Sequence, residues 1–247
     1  MVDQAESRVL LVARSVQQYL LPDAPPILAG YDIACRCEPA ELIGGDYYDF
    51  IPMPSGVLGL AIADVSGHGM AAAMMMIEVR AILRTLAQQR LSLNSILESA
   101  NELVTPDLDQ RFITAIFGTL QQEKRIFRYA SAGHPAILIH ANGVVQHLDS
   151  SAMPLGVHIG AMDISEEISL IDGDLLVLYT DGLVERLNPE NGLFGTARFA
   201  ECLCVRRHQT AEEIVDGVFQ EVRSFSGGIA HADDETLVVI KVGTAPS

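Results

Sequence analysis

Residues 57–73, VLGLAIADVSGHGMAAA, contain the transition on which the fold of this chain depends. An apolar run that ends at Asp64 is typical of a buried strand. Gly67 and Gly69 then permit a tight backbone turn, and the stretch 69–90 is predicted to be a long helix. Near its start this helix is apolar over most of its circumference, which is typical of a helix buried between layers.

Strand-like segments surround this helix and follow one another directly. The turn residues MPSG predict a hairpin between 46–53 and 57–65, and Asp172-Gly173 predicts another between 166–171 and 174–180. Strands in hairpin succession, with helices in pairs, indicate an α+β fold in which antiparallel sheet is layered with helices. Further strands are expected at 28–39, 111–120, 125–133, 136–141, 144–148 and 236–242, and further helices at 8–20, 92–104, 196–206 and 210–225.

The charge of the chain excludes several classes of protein. Its 247 residues include 32 Asp and Glu against 16 Lys and Arg, a formal net charge of −16. Such an excess argues against nucleic-acid binding and against docking on anionic lipid, since both depend on clustered bases. The N-terminus lacks the features of a secretory signal, and the apolar runs are shorter than a membrane helix requires. We therefore expect a cytoplasmic protein, with neither nucleic acid nor membrane among its partners.

The four cysteines form two closely spaced pairs, Cys35 with Cys37 and Cys202 with Cys204. They are too few for a disulfide scaffold in a chain of this length. A four-thiolate zinc site is the alternative, but structural zinc usually has about two to four residues between paired ligands. Free thiols are the expected state.

Four segments place an Asp beside an apolar run and next to Gly or a second Asp. A carboxylate at the end of a buried strand is costly unless it is paired or binds a cation, and none of the four segments contains Lys or Arg. Oxygen ligands select hard cations such as Mg²⁺, Mn²⁺ or Ca²⁺ over zinc. The acids are more numerous than one ion needs, so two ions that share a bridging Asp are plausible. The segments are GGDYYD (44–49), IADVSGHG (62–69), LYTDG (178–182) and HADDET (231–236).

Two simpler interpretations remain open for these segments. Each Asp alone could be only a turn or helix-cap residue. The stretch GHGMAA at 67–72 also fits a dinucleotide-binding fingerprint, which requires an acidic residue about 20 positions further on. Gln88-Gln89-Arg90 stands there instead.

Taken together, the segments resemble the signature of PPM-type, metal-dependent protein serine/threonine phosphatases, in their bacterial SpoIIE/RsbU branch. The resemblance runs in order from about residue 15 to 242, and QQYLLP at 17–22 resembles the helix that leads into this domain. The matching motifs are GGDYYD (44–49), ADVSGHG (63–69), AGHP (132–135), TDGLVE (180–185) and DDETLVV (233–239).

This resemblance implies an α/β/β/α sandwich, in which two packed antiparallel sheets are flanked by helix pairs. It divides the chain into an N-terminal linker helix at 1–22 and a phosphatase domain at 23–247. It also implies two Mn²⁺ or Mg²⁺ ions, with Asp64 as the bridge between them. By this resemblance, Asp46 and the backbone carbonyl of Val65 complete the coordination of one ion.

Asp181 and Asp233 hold the second ion by the same resemblance. Asp234 is either a further ligand or a residue that contacts the ligands without binding an ion. Two dications lower the pKa of a shared water, so that hydroxide can attack phosphorus in line at neutral pH. Asp64, Asp46 and Asp181 are thus the predicted catalytic residues.

Two histidines are candidates for the proton donor to the leaving oxygen. His68 lies four residues after Asp64, and orientation of the helix start is the alternative role for it. His134, in the AGHP motif, is expected to be a structural turn residue.

The resemblance also implies a substrate, although the sequence shows no substrate-binding element. The substrate would be phosphoserine or phosphothreonine on a STAS-type anti-sigma-factor antagonist. A non-catalytic, phosphatase-like regulator is the alternative function, but such proteins typically lose ligand carboxylates that are all present here.

The predicted helix at 8–20 has two possible roles. In relatives such a helix often connects to an upstream sensory or receiver domain, and it could form a homodimer. The alternative is that its apolar stripe packs on its own domain.

Overall fold

Two five-stranded antiparallel sheets pack face to face between two layers of helices. The structure is a computed structural model that describes residues 4–54, 56–150, 152–158, 160, 162–163 and 167–243. Within these ranges the helices are α1 (Gln4–Leu20), α2 (Gly69–Ala87), α3 (Leu93–Val104), α4 (Thr196–Arg206) and α5 (Ala211–Ser226). The strands are β1 (Tyr31–Glu38), β2 (Tyr47–Pro52), β3 (Leu58–Val65), β4 (Ile113–Gln121), β5 (Ile126–Ala132), β6 (Ala136–Ile139), β7 (Val145–Leu148), β8 (Ile168–Ser169), β9 (Leu175–Tyr179) and β10 (Glu235–Val242).

The strand orders are β1-β10-β9-β6-β7 in one sheet and β2-β3-β4-β5-β8 in the other. A buried apolar cluster fills the space between the sheets, with Phe50 and Ile62 from one and Leu176 and Val238 from the other. Helices α2 and α3 cover the β2-containing sheet, and α4 and α5 cover the β1-containing sheet. The predicted α/β/β/α sandwich is therefore confirmed.

The long helix α2 is buried along one stripe. Ala72, Met76, Val79 and Leu83 are at most 1 % exposed, and their spacing follows the helical repeat. The turn before the helix contains Gly67 (φ +95°), and the helix begins at Gly69 (φ +74°), so the predicted requirement for glycine at this entrance is confirmed.

The predicted hairpin around Asp172-Gly173 is wrong. β8 pairs with β5, whereas β9 pairs with β10 and β6 in the other sheet. A turn does form at Asp172-Gly173, but it connects a strand of one sheet to a strand of the other. The buried Asp174 carboxylate stabilises this crossing, because it accepts hydrogen bonds from the backbone N–H groups of Ala141 and Ile171, both at 2.9 Å.

The structure also decides two alternatives left by the sequence. The strand before the glycine-rich turn, β3, is antiparallel to both its neighbours, so the dinucleotide-binding interpretation is wrong, since it needs a parallel βαβ unit. All four cysteines are free thiols, as predicted, one pair on β1 and the other on α4. Within the described ranges, no helix is long and apolar enough to span a membrane.

Helix α1 packs on the domain through polar contacts near its C-terminal end. The Gln17 amide donates to the Gly44 carbonyl at 2.7 Å and accepts from the Gly44 N–H at 3.1 Å. Arg80 of α2 donates to the Leu20 carbonyl at 2.7 Å. The apolar stripe of α1 faces away from these contacts: its members Val9, Val12, Val16 and Tyr19 are 48–84 % exposed.

An ion pair between a buried carboxylate and a partly exposed guanidinium holds α2 against β2. Arg84 donates to both oxygens of Asp49, at 2.5 and 2.8 Å. The Tyr47 hydroxyl donates to the same carboxylate at 2.7 Å. Asp49 is 2 % exposed, so its charge depends on these donors.

We expect Asp49→Ala to lower the free energy of unfolding by about 2–3 kcal/mol in urea titration. This is less than the loss of about 3–5 kcal/mol for a fully buried pair, because the Arg84 side chain is 41 % exposed and can be hydrated. Glu167→Ala, which breaks the exposed pair with Arg128, is the matched control and should cost under about 1 kcal/mol. Equal losses would contradict the structural role given to Asp49.

Candidate active site

Five acidic residues meet where the ends of the two sheets come together. Asp46 precedes β2 and Asp64 lies at the end of β3, in one sheet. Asp181 follows β9 in a short 3-10 helix (Asp181–Leu183), and Asp233 and Asp234 precede β10, in the other sheet. Burial and the charges of Asp181 and Asp233 raise the pKa of Asp64 to about 8. The structure therefore brings all five predicted aspartates into one electrostatic cluster.

The carboxylate of Asp46 is held so that one oxygen is left free. Its Oδ2 accepts hydrogen bonds from the hydroxyls of Thr180 at 2.8 Å and Thr236 at 2.5 Å. Its Oδ1 is buried and has no hydrogen-bond partner. Burial raises the pKa of Asp46 well above its usual range, and the charges of Asp64 and Asp234 raise it further. A buried oxygen with no donor is the group that a cation would stabilise.

Sequence reasoning missed Thr180 and Thr236. Both lie inside the matched motifs, TDGLVE and DDETLVV, but the sequence does not show that their hydroxyls converge on Asp46. The Thr236 N–H also donates to the Thr180 hydroxyl oxygen at 2.9 Å. The two threonines therefore form one unit that orients Asp46.

Glycines bring the backbone of this region into close contact. A Cβ on Gly45 would lie 2.8 Å from the Val65 carbonyl oxygen, and one on Gly44 would lie 2.2 Å from the Asp234 carboxylate. Only glycine allows the Asp46 loop to approach both groups. The Val65 carbonyl, a predicted ligand, thus lies against the loop that carries Asp46.

Asp234 supports this loop. It is 4 % exposed, and its Oδ1 accepts from the Ala40 N–H at 2.8 Å. Its Oδ2 accepts from the N–H groups of Gly45 at 2.6 Å and Asp46 at 3.4 Å. Both carboxylate oxygens of Asp234 are therefore used to position the loop that carries Asp46. This fits a residue that supports the metal ligands, and direct ligation by Asp234 stays a prediction.

Asp181 lies in the more open part of the cluster. Burial raises its pKa, and the charges of Asp233 and Glu185 raise it further. Glu185 is a third residue that sequence reasoning missed, although it ends the TDGLVE motif. The Glu185 N–H bonds to the Asp181 carbonyl at 2.8 Å, so the turn after β9 brings both side chains to the same edge.

The acids fit a divalent cation chemically. They are hard oxygen donors, they raise one another's pKa, and Asp46 Oδ1 is unpaired. No group of three or more His, Cys, Asp or Glu side chains in the described part of the chain is arranged as a ready metal site. The predicted ligand set therefore stays a prediction.

The two histidines differ in burial. His134 is 1 % exposed, its Nδ1 lies 2.7 Å from the Thr114 hydroxyl, and burial lowers its pKa to about 3, so it is neutral. Burial and neutrality suit a structural turn residue, and that role for His134 stays a prediction. His68 is the N-cap residue of α2 but makes no side-chain cap hydrogen bond. Its exposed ring instead pairs with Glu41 at 2.7 Å.

Comparison with known proteins identifies the family. The sequence model of the family described as Stage II sporulation protein E (SpoIIE) matches residues 54–243. The chain belongs to the SpoIIE family. It is a PPM-type protein phosphatase of the SpoIIE/RsbU branch, as the sequence motifs predicted.

Relatives of this SpoIIE-family chain include the phosphoserine phosphatase RsbU of Bacillus subtilis. The two are 28 % identical over 233 residues, which are 93 % of this chain and 69 % of RsbU. The SiaA-PP2C domain of Pseudomonas aeruginosa has a TM-score of 0.85 at 22 % identity, over 96 % of this chain and 98 % of that domain. RsbX, solved in complex with magnesium, has a TM-score of 0.64 at 19 % identity, over 86 % and 96 % of the two chains. The two structures share the fold of this chain.

We expect Thr236→Val to weaken Mn²⁺ binding about 10- to 100-fold in isothermal titration calorimetry. Loss of a partner behind a metal ligand typically has an effect of this size, and Asp46 Oδ2 would lose its shorter hydrogen bond. Thr236→Ser keeps the hydroxyl and should bind nearly as wild type. Thr85→Val, on the exposed side of α2, is the control. Unchanged Mn²⁺ affinity in Thr236→Val would contradict the orienting role of this hydroxyl.

Proposed function

We propose that this chain hydrolyses phosphoserine or phosphothreonine in proteins, in a reaction that depends on two Mn²⁺ or Mg²⁺ ions. One observation carries the proposal: five carboxylates from both sheets converge, and the most buried of them keeps an unpaired oxygen. Family membership and the similarity to the phosphoserine phosphatase RsbU support it. RsbX, with the same fold, was solved with magnesium.

Four of the five acids have a proposed role toward the ions. Asp64 would bridge them, Asp46 and the Val65 carbonyl would hold one, and Asp181 and Asp233 the other. When bound, two such ions make water nucleophilic at neutral pH and stabilise the oxygens that enter and leave phosphorus. The nucleophile is then water, so no side chain of the chain needs to form a phosphoenzyme.

The remaining residues keep the acids in place. Thr180 and Thr236 hold Asp46 through Oδ2 and leave Oδ1 unpaired, and Asp234 fixes the loop that carries Asp46. These contacts are made by groups of the chain itself, so they limit the conformational freedom that the acids would lose on binding an ion. His134 is buried and neutral, which supports a structural rather than a proton-donating role.

The proposed substrate is a phosphorylated STAS-type anti-sigma-factor antagonist. The motifs of the SpoIIE/RsbU branch and the similarity to RsbU support this assignment. An upstream sensory or receiver domain is the proposed source of regulation, and the cytoplasmic location stays a prediction.

The alternative is a phosphatase-like regulator that binds its partner without turnover. Such a protein has no need to keep the acid cluster. Here all the predicted ligands are present, and Thr180 and Thr236 orient Asp46, so catalysis is the better supported function.

We expect Mn²⁺-dependent hydrolysis of p-nitrophenyl phosphate by the wild-type chain. Asp64→Asn should lower kcat/KM by at least about a thousandfold, since a bound metal contributes several kcal/mol and each 1.4 kcal/mol is about tenfold. Asp172→Asn, at the turn near the opposite end of β10, is the matched control and should keep full activity. Undiminished turnover in Asp64→Asn would refute the mechanism, and no turnover by the wild type with tight partner binding would favour the regulator.

We also propose that residues 1–22 act as a linker and dimerisation helix attached to the domain at 23–247. The residues Val9, Val12, Val16 and Tyr19 repeat at intervals of three and four, the spacing of a coiled-coil seam. They are exposed while Gln17 contacts the domain. The polar side of α1 is thus docked, and its apolar side is free for a second copy.

Light scattering after size exclusion should give twice the chain mass for the wild type and the single-chain mass for Val12→Glu/Val16→Glu. Charges in an apolar seam oppose pairing of the helices. Val144→Glu, at another exposed apolar residue, should leave the dimer intact. If the double variant keeps the wild-type mass, α1 is not the dimer contact.

A further inference from the structure

A cavity of about 360 Å³ opens beside the acid cluster. Its lining includes Gly182, Asp233 and Glu185. Three aliphatic side chains, Leu187, Leu193 and Ile229, line it as well, and they are 40 %, 58 % and 41 % exposed. The remaining lining residues are Arg186, Ala230 and Ala232. We call this cavity the side pocket.

The walls of the side pocket are rigidly held. Arg186, only 9 % exposed along its side chain, donates to Glu235 at 3.1 Å and to the Ile229 carbonyl at 2.6 Å. It also donates to the Ser226 hydroxyl at the end of α5. Residues 187 and 193 form a β-bridge, so the hairpin between them and the loop at 229 are both anchored to β10 and α5. The pocket is therefore preformed.

The side pocket adjoins the proposed reaction centre directly. Gly182 follows Asp181 in the chain, and Asp233 belongs to both the pocket and the acid cluster. The charge of Glu185 raises the pKa of Asp181, which places it among the acids as well. A substrate side chain bound in the pocket would thus be separated by only a few residues, along the substrate chain, from the phosphorylated residue bound at the acids.

We propose that the side pocket binds an apolar side chain of the phosphoprotein substrate, such as Leu, Ile, Val or Met, that flanks the phosphorylated residue. The inference rests on the proposed function and adds a specificity element to it. The three exposed aliphatic side chains would lose contact with water on binding, which favours an apolar occupant. The Glu185 carboxylate in the lining disfavours an acidic one.

Synthetic phosphoserine peptides test this specificity. Each is a decapeptide of Ala and Ser with a single Leu placed in turn at the positions before and after phosphoserine, and matched peptides carry Asp or Lys there. Leu at one position should raise kcat/KM at least about tenfold over Ala, the lower end of what an apolar pocket discriminates. Asp at that position should give no gain.

Leu187→Ser/Leu193→Ser should abolish the preference for Leu while p-nitrophenyl phosphate turnover and Mn²⁺ affinity stay within about twofold. Both positions are exposed, so the change should be tolerated, and Ile229→Ser provides an independent variant. Val205→Ser, at a residue of α4 that is 71 % exposed, is the matched control and should keep the preference.

The possible failures are distinguishable. If the wild type hydrolyses the peptides without preferring Leu at any position, or prefers Lys, the side-pocket inference is overturned and the phosphatase function stands. The inference is also overturned if the double variant keeps the Leu preference, or if it loses p-nitrophenyl phosphate and peptide turnover equally. If the wild type hydrolyses neither p-nitrophenyl phosphate nor any peptide with Mn²⁺, the proposed function itself fails.

Discussion

Repulsion among five carboxylates is the constraint that the rest of this structure accommodates. The sandwich brings the end of β3 against the turns that follow β9 and precede β10, so acids from both sheets share one partly buried volume. Burial and neighbouring charge each disfavour ionisation, as the raised pKa of Asp64 to about 8 shows. A fold that keeps this arrangement carries an energetic cost, and divalent cations are the groups best suited to offset it.

Neutral hydrogen-bond donors, rather than basic side chains, organise the acids. Thr180 and Thr236 donate to Asp46, and backbone N–H groups donate to Asp234. A lysine or arginine in these places would neutralise the carboxylates and compete with a cation. Hydroxyls and amides fix the geometry while the charge stays available, which suits a site that must attract metal.

The sequence predicts this site better than it predicts the path of the chain. The acids could be found because each stands at the end of an apolar run, and because the motifs around them are specific. The orienting threonines could not, since their convergence on Asp46 depends on the pairing of β10 with β9. The hairpin predicted around Asp172-Gly173 was wrong for a different reason. Its residues specify a tight reversal, but nothing local specifies which sheet the next strand joins.

In the hairpin that lines the side pocket, different residues of one short stretch of chain provide the anchor and the exposed surface. Arg186 anchors the hairpin from within the domain, while the side chains of the bridged residues Leu187 and Leu193 are exposed. Mutations at these outer positions can accumulate without moving Asp181, five residues earlier than the anchor. In the proposed side pocket, a few exchanges in one loop would therefore change which proteins the chain recognises and leave the acids in place.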